Sequence, residues 1–148
     1  MEKKLTFIFD SVSGNESFAR NVVASFCLSL NPSVDEIIDI KTAVSEAVTN
    51  VIVHAYPEGV GKVKINVTLK NSRVYISVKD SGKGIECISK AIEPFFTTKA
   101  DEERTGMGFT VMESFMDNVS VKNNKGKGVT VYMVKKILGT DKCETMAW

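Results

Sequence analysis

Histidine is nearly absent: His54 is the only one in 148 residues. A single imidazole excludes any mechanism that needs two, including most histidine-rich metal sites. Cysteine is scarce as well. Cys27, Cys87 and Cys143 stand far apart and make no metal-type pair. Cys27 falls in an apolar helical pattern and reads as a buried thiol, and no disulfide is expected in a reducing compartment. No apolar run is long enough to span a membrane, and Met1-Glu2-Lys3-Lys4-Leu5 lacks a signal-peptide core. The expected location is therefore the cytoplasm, with no membrane partner. Excess charge is missing too. A net charge of +1 gives no broad basic field of the kind that argues for nucleic acid, so no direct nucleic-acid partner is expected. Two phosphate-handling signatures are also absent. The sequence has no Gly-x-x-x-x-Gly-Lys-Ser/Thr loop, and it has neither the His-Arg-Asp nor the Asp-Phe-Gly element of protein kinases. If this chain uses a nucleoside triphosphate, it does so on another scaffold.

What is present belongs to one globular domain. A hydrophobic content of 43% beside 25% charge is ordinary for a soluble core-forming chain of this length. No repeats or linkers divide it. Residues 1–138 read as the domain and residues 139–148 as a frayed tail. Thr6-Phe7-Ile8-Phe9 reads as a strand. Ser13-Gly14-Asn15-Glu16 fits a capping box. The helix it opens runs to about Leu30, with Phe18, Val22, Val23, Phe26 and Leu30 on its apolar face. Glu16 and Arg20 sit four apart, away from that face. They fit a solvated ion pair of about 0.2–0.5 kcal/mol, and they also fit a partner-binding surface.

Asn31-Pro32 breaks the chain, and Ser33-Val34-Asp35-Glu36 opens a second helix with a second capping box. That helix extends to Tyr56. Ile37, Val44, Val48 and Val51 recur at helical spacing on one side. Glu46 and Asn50, four apart, share a different face. They pair a carboxylate that can take a proton with an amide oxygen suited to a hard metal ion. His54 continues this face. It is within reach of either a phosphate or the helix end.

Strand signals dominate the rest. Val63, Ile65, Val67 and Leu69 alternate with polar residues, as do Val74, Ile76 and Val78, with Asn71-Ser72 between them. This predicts an antiparallel hairpin. A short helix is expected over residues 85–92. Glu93 to Thr105 reads as a long loop of the kind that forms lids. A third helix covers residues 109–116, and a last hairpin carries Val119, Val121 and residues 129–135. The order predicts an α+β sandwich with a mixed, mostly antiparallel sheet covered on one face by helices.

Two of the four Gly-x-Gly pairs have informative neighbours. Asp80 ends a strand just before Gly82 and Gly84. It fits a turn-capping aspartate, and it equally fits a carboxylate that accepts from the amine of adenine, with the glycines letting backbone approach a flat ring. Gly106-Met107-Gly108 precedes a helix start, where unpaired N–H groups suit phosphate. Thr97, Thr98, Lys99 and Arg104 lie just upstream, either as ordinary solvated loop residues or as donors and cations for phosphate.

Taken together and in order, Glu46-Ala-Val-Thr-Asn50, Asp80-Ser-Gly82-Lys-Gly84, Pro94-Phe-Phe-Thr-Thr-Lys99 and Gly106-Met-Gly108 resemble the N, G1, F and G2 boxes of a known ATPase superfamily. Histidine kinases, type II topoisomerases and the MutL mismatch-repair proteins share these boxes. Within it the chain is most similar to the anti-sigma factor serine kinases, through Asn15-Glu-Ser-Phe-Ala-Arg20, Ile40 to Asn50 and Gly106 to Asp117. The resemblance implies a Bergerat-type α/β sandwich that binds ATP and Mg²⁺. It implies Asn50 as the metal ligand and Glu46 as general base toward a substrate serine. Asp80 would bind the adenine amine beside Gly82 and Gly84. Thr97, Thr98 and Lys99 would lie in the lid, and Gly106, Met107 and Gly108 would hold phosphate. Arg104 is assigned to the γ-phosphate and Thr130 to a second adenine contact. The implied partners are a sigma factor, an anti-anti-sigma factor phosphorylated on serine, and a second copy of the chain, with Glu16 and Arg20 at the partner surface. The alternative is a non-catalytic module in which nucleotide only gates protein binding. The lack of a second histidine sets the chain apart from histidine kinases.

Overall fold

The computed structural model describes residues 1–82, 107–124 and 127–140. The chain order is β1 (Lys3–Asp10), α1 (Asn15–Cys27), a 3-10 turn (Leu28–Leu30), α2 (Val34–Asn50), a π turn (Val51–Ala55), β2 (Lys62–Lys70), β3 (Arg73–Asp80), α3 (Met107–Phe115), β4 (Asn118–Asn123) and β5 (Val129–Lys136). The five strands form one sheet in the order β1-β2-β3-β5-β4, and every described pairing is antiparallel. The expected helix over residues 85–92, the loop that follows it and residues 141–148 lie outside the described residues.

The alternating pattern of β2 and β3 does what it predicts. Val63, Ile65, Val67, Leu69, Val74, Ile76 and Val78 are all buried, and Lys70 pairs with Arg73 across a two-residue turn. Asn71 and Ser72 both take positive φ there, 54° and 60°. That backbone matches the twist of a tight hairpin.

The helices cover one face. On α2, Ile40, Ala43, Val44, Ala47 and Val48 are buried, a stripe at helical spacing. Phe109, Met112 and Met116, along α3 and just past its end, join them over Val131 and Met133 of the sheet. The α2 capping box forms as the sequence predicts. Ser33 Oγ accepts from Glu36 N at 3.1 Å, and Glu36 Oε1 accepts from Ser33 N at 2.9 Å. The same carboxylate also accepts from Leu138 N and Gly139 N. Burial alone would raise the Glu36 carboxyl, but these N–H donors and the Ser33 hydroxyl outweigh it and hold the pKa below the ordinary value. Gly139, expected at the start of a frayed tail, is thus tied to the start of α2.

The expectations for α1 need correction. Gly14 at φ 102°, not Ser13, is its N-cap, with no side-chain cap bond. Glu16 Oε1 instead accepts from Gly14 N at 2.7 Å. The helix ends at Cys27, and Asn31 at φ 53° closes the 3-10 turn beyond it. Its buried face is Ala19, Val23, Ala24 and Cys27. Small residues there allow α1 to pack closely on α2. Phe18 is 52% exposed. It sits at the sheet edge, with its ring edge-on to Phe7 and Phe9. Burial pushes the Cys27 thiol up to about 12, so it is an inert core group.

Candidate functional site

Glu46 and Asn50 occupy the last turns of α2, and the backbone widens into the π turn directly after Asn50. One end of the Asn50 amide is buried and has no hydrogen-bond partner among the described residues. Such an orphan costs about 1–3 kcal/mol. Amide nitrogen and oxygen are interchangeable assignments, so Asn50 can present either a carbonyl to a cation or an amino group to an anion. His54 lies in the π turn.

The end of β3 meets this turn through glycine. A Cβ at Gly82 would overlap the carbonyl of Ala55, so only glycine allows the contact. Asp80 is 5% exposed. Its Oδ1 accepts from Gly82 N at 2.9 Å and from Val129 N at 3.3 Å. Both of its bonds to the described residues use this one oxygen, and Oδ2 accepts from none of them. Burial raises the Asp80 pKa, and the Gly82 and Val129 N–H groups oppose that rise. Gly128, at φ 111°, has no room for a side chain beside the Asp80 carbonyl. Asp80 therefore caps the turn through Gly82 N. The two sequence readings of this residue are compatible.

Tyr56 is a positioning group that no local sequence pattern marks. Its hydroxyl donates to Lys62 O at 2.6 Å and accepts from Ser81 N at 2.8 Å. It clips the exit of the π turn to the segment between Asp80 and Gly82. The role depends on strand register, and the sequence carries no local signal for it. The same is true of the Val129 N–H.

Thr130 is not brought to Asp80. The register pairs Thr130 with Lys79, whereas Val129 N reaches Asp80. Thr130 therefore belongs to the sheet face away from the helices, where its hydroxyl accepts from Asn124 Nδ2 at 3.2 Å. Strand alternation is the reason for this correction. Met107 and Gly108 open α3, placing a helix start in the layer that holds α2. Gly84, Thr97, Thr98, Lys99, Arg104 and Gly106 lie outside the described residues.

Glu16 and Arg20 do not pair with each other. Glu16 bonds to Gly14 N, and Arg20 Nη1 donates to Ser45 Oγ at 3.3 Å. Arg20, Lys41, Ser45 and Glu46 border an open cleft of ≈ 360 Å³ between α1 and α2. Arg20 and Glu46 thus share one cleft, and Glu16 is not among the residues that border it.

The described residues thus combine a helix-covered antiparallel sheet with a buried strand-end aspartate, close-approach glycines and a buried asparagine amide end that none of them satisfies. Residues 14–135 match the family model described as a histidine kinase-like ATPase domain. The chain is 54% identical over 134 residues to the anti-sigma F factor of Thermoanaerobacter sp. (strain X514), covering 90% of this chain and 93% of that one. It is 49% identical over 138 residues to the anti-sigma F factor of Bacillus subtilis (strain 168), covering 93% and 94%. The fold also matches the RsbU and RsbW domains of Rv1364c from Mycobacterium tuberculosis, with a TM-score of 0.66 and 18% identity over 91% of this chain and 32% of that one. A second match is the catalytic domain of histidine kinase ThkA, at 0.57 and 22% over 88% and 96%. The chain belongs to the histidine kinase-like ATPase family and, within it, to the anti-sigma F factors.

Proposed function

We propose that this chain binds and inhibits a sigma factor and is also an ATP-dependent protein serine kinase that phosphorylates, and so inactivates, its anti-anti-sigma antagonist. The observation that supports the reading is the presence, among the described residues, of a buried Asp80 whose Oδ2 accepts no bond from them and of an Asn50 amide end that none of them satisfies. Asp80 Oδ2 accepts the exocyclic amine of adenine. The Asn50 amide oxygen fits Mg²⁺, which prefers few protein ligands beside phosphate and water. Bound Mg²⁺ supplies neutralisation of phosphate charge. The start of α3, with Gly106, Met107 and Gly108, holds phosphate through backbone N–H groups. Thr97, Thr98, Lys99 and Arg104 are assigned as donors and charge for phosphate, and Gly84 is assigned with Gly82 to adenine, by the family resemblance.

Glu46 orients the partner's serine hydroxyl and takes its proton as the Oγ–Pγ bond forms and the bond from Pγ to the leaving ADP oxygen breaks. Positioning and electrostatics dominate such a transfer. Arg20, on the cleft beside Glu46, together with Glu16, receives the partner protein. The domain works in the cytoplasm as a homodimer. β1 is a sheet edge, and beside it Phe18, Val22 and Phe26 line an open groove of ≈ 650 Å³, which a second copy covers.

The competing reading is a nucleotide-gated binding module without transfer. Glu46→Gln separates the two. It is expected to keep Mg-ATP and sigma-factor binding while phosphorylation of the antagonist falls by roughly 10²–10⁴-fold, the range for a general base. Unchanged transfer from radiolabelled ATP removes Glu46 from the proton step.

A further inference from the structure

The near-zero net charge hides a segregation that the sheet register exposes. On the face away from the helices, Lys64 stands directly opposite Lys79, Lys70 opposite Arg73, and Arg73 opposite Lys136. Like charges in directly opposed positions destabilise a sheet. No ion pair to any of these five residues occurs among the described residues. The first row continues across Thr130 to Lys122 on the edge strand. Cations therefore stand in rows at both ends of one open face. The one described carboxylate on its strands' outward positions, Asp10, is already taken by Lys62.

The rows between are neither charged nor aliphatic at their centre. Tyr75 and Tyr132 are 38% and 43% exposed. Tyr75 pairs with Val134, and Ser77 pairs with Tyr132. The two tyrosines are thus diagonal neighbours on the two adjacent strands β3 and β5, roughly 7–8 Å apart by sheet geometry. Ser77 and Asn66 beside them offer hydroxyl and amide groups and are linked by a 3.4 Å bond.

We infer that this open face is a docking platform for single-stranded nucleic acid. Two exposed aromatic rings on neighbouring strands can each stack one base, and stacking tolerates any sequence. Cation rows on both sides take the phosphates before and after the stacked bases. An acidic polypeptide would use the lysines but has no need of the rings, which makes the rings the discriminating feature. The platform lies on the opposite side of the sheet from Glu46 and Asn50, so occupancy and phosphoryl transfer are separate properties.

The test is fluorescence anisotropy of the full chain with labelled single-stranded RNA and DNA oligonucleotides of mixed sequence, with duplex DNA and poly-glutamate as competitors. Binding to single strands is expected, weakening as salt rises. Tyr75→Ala and Tyr132→Ala should each weaken it by roughly tenfold, and Tyr75→Phe should retain it. Lys64→Gln with Lys79→Gln should lower the log–log salt slope by about 1.4. The same pair should raise the melting temperature, because it removes a like-charge contact; that rise shows the variant is folded. The inference is overturned if single strands do not bind at low salt, if the alanine variants bind as well as the parent, or if poly-glutamate competes as well as unlabelled oligonucleotide.

Discussion

At the scale of the residue, Asp80 carries a conflict. Burial favours its neutral form and two backbone donors favour its charged form, with burial the larger effect. Its folded pKa lies above the ordinary 3.8. Its contribution to stability is therefore full below that value and declines as pH rises through the folded pKa, so at neutral pH the ionised group is a cost. Asp80→Asn should relieve that cost while its side-chain oxygen still accepts from Gly82 and Val129. The melting temperature of the ligand-free protein should rise at pH 7, and the gain should vanish on acidification toward 3.8. ATP affinity should fall roughly tenfold or more, because an amide NH₂ then faces the adenine amine and a hydrogen bond to a charged acceptor, worth about 1.5–3 kcal/mol, is lost. Calorimetric titration with ATP alongside thermal melts checks both halves. A variant with unaltered affinity removes the adenine assignment.

At the scale of the element, α2 and the turn that follows it set the site. The sequence's alternation, its second capping box and its Glu46/Asn50 spacing were legible because each depends on residues a few positions apart. The π turn was not, since nothing in Val51–Ala55 differs in pattern from the helix before it. Its consequence is a backbone carbonyl at Ala55 pressed against Gly82. Gly82→Ala should therefore destabilise the fold by about 1–3 kcal/mol through overpacking and lower nucleotide affinity, since the strand end carrying Asp80 must move. Denaturant melts give the first effect. A neutral substitution would mean that the contact is slack. The α1 expectations failed for a related reason. The apolar periodicity identified a helix, but the edge of the sheet decided which residues were buried, and Phe18 lies just past that edge.

At the scale of the whole molecule, one sheet separates two surfaces. The helix side holds the site. No helix among the described residues is long and apolar enough to cross a membrane. Thr130 shows what sequence order alone could not settle: its neighbour Val129 faces Asp80, and one residue of strand register places Thr130 on the opposite side. The charge rows of the open face were hidden in the same way, because lysines distant in sequence become adjacent only across strands. The proposed second copy of the chain would sit at one end of the sheet, on the β1 edge and the groove at Phe18. Phe18→Asp should leave the fold intact, since the ring is half exposed, and shift the protein from dimer to monomer in sedimentation equilibrium. A dimer that survives the substitution places the interface elsewhere.

The most direct measurement combines the parts. Incubation of the chain with Mg-ATP and its anti-anti-sigma partner, followed by mass spectrometry of that partner, should find a single phosphoserine. The signal should be lost with Glu46→Gln, although the partner still binds. A partner that binds in the presence of ATP and stays unmodified by the unaltered chain contradicts the account.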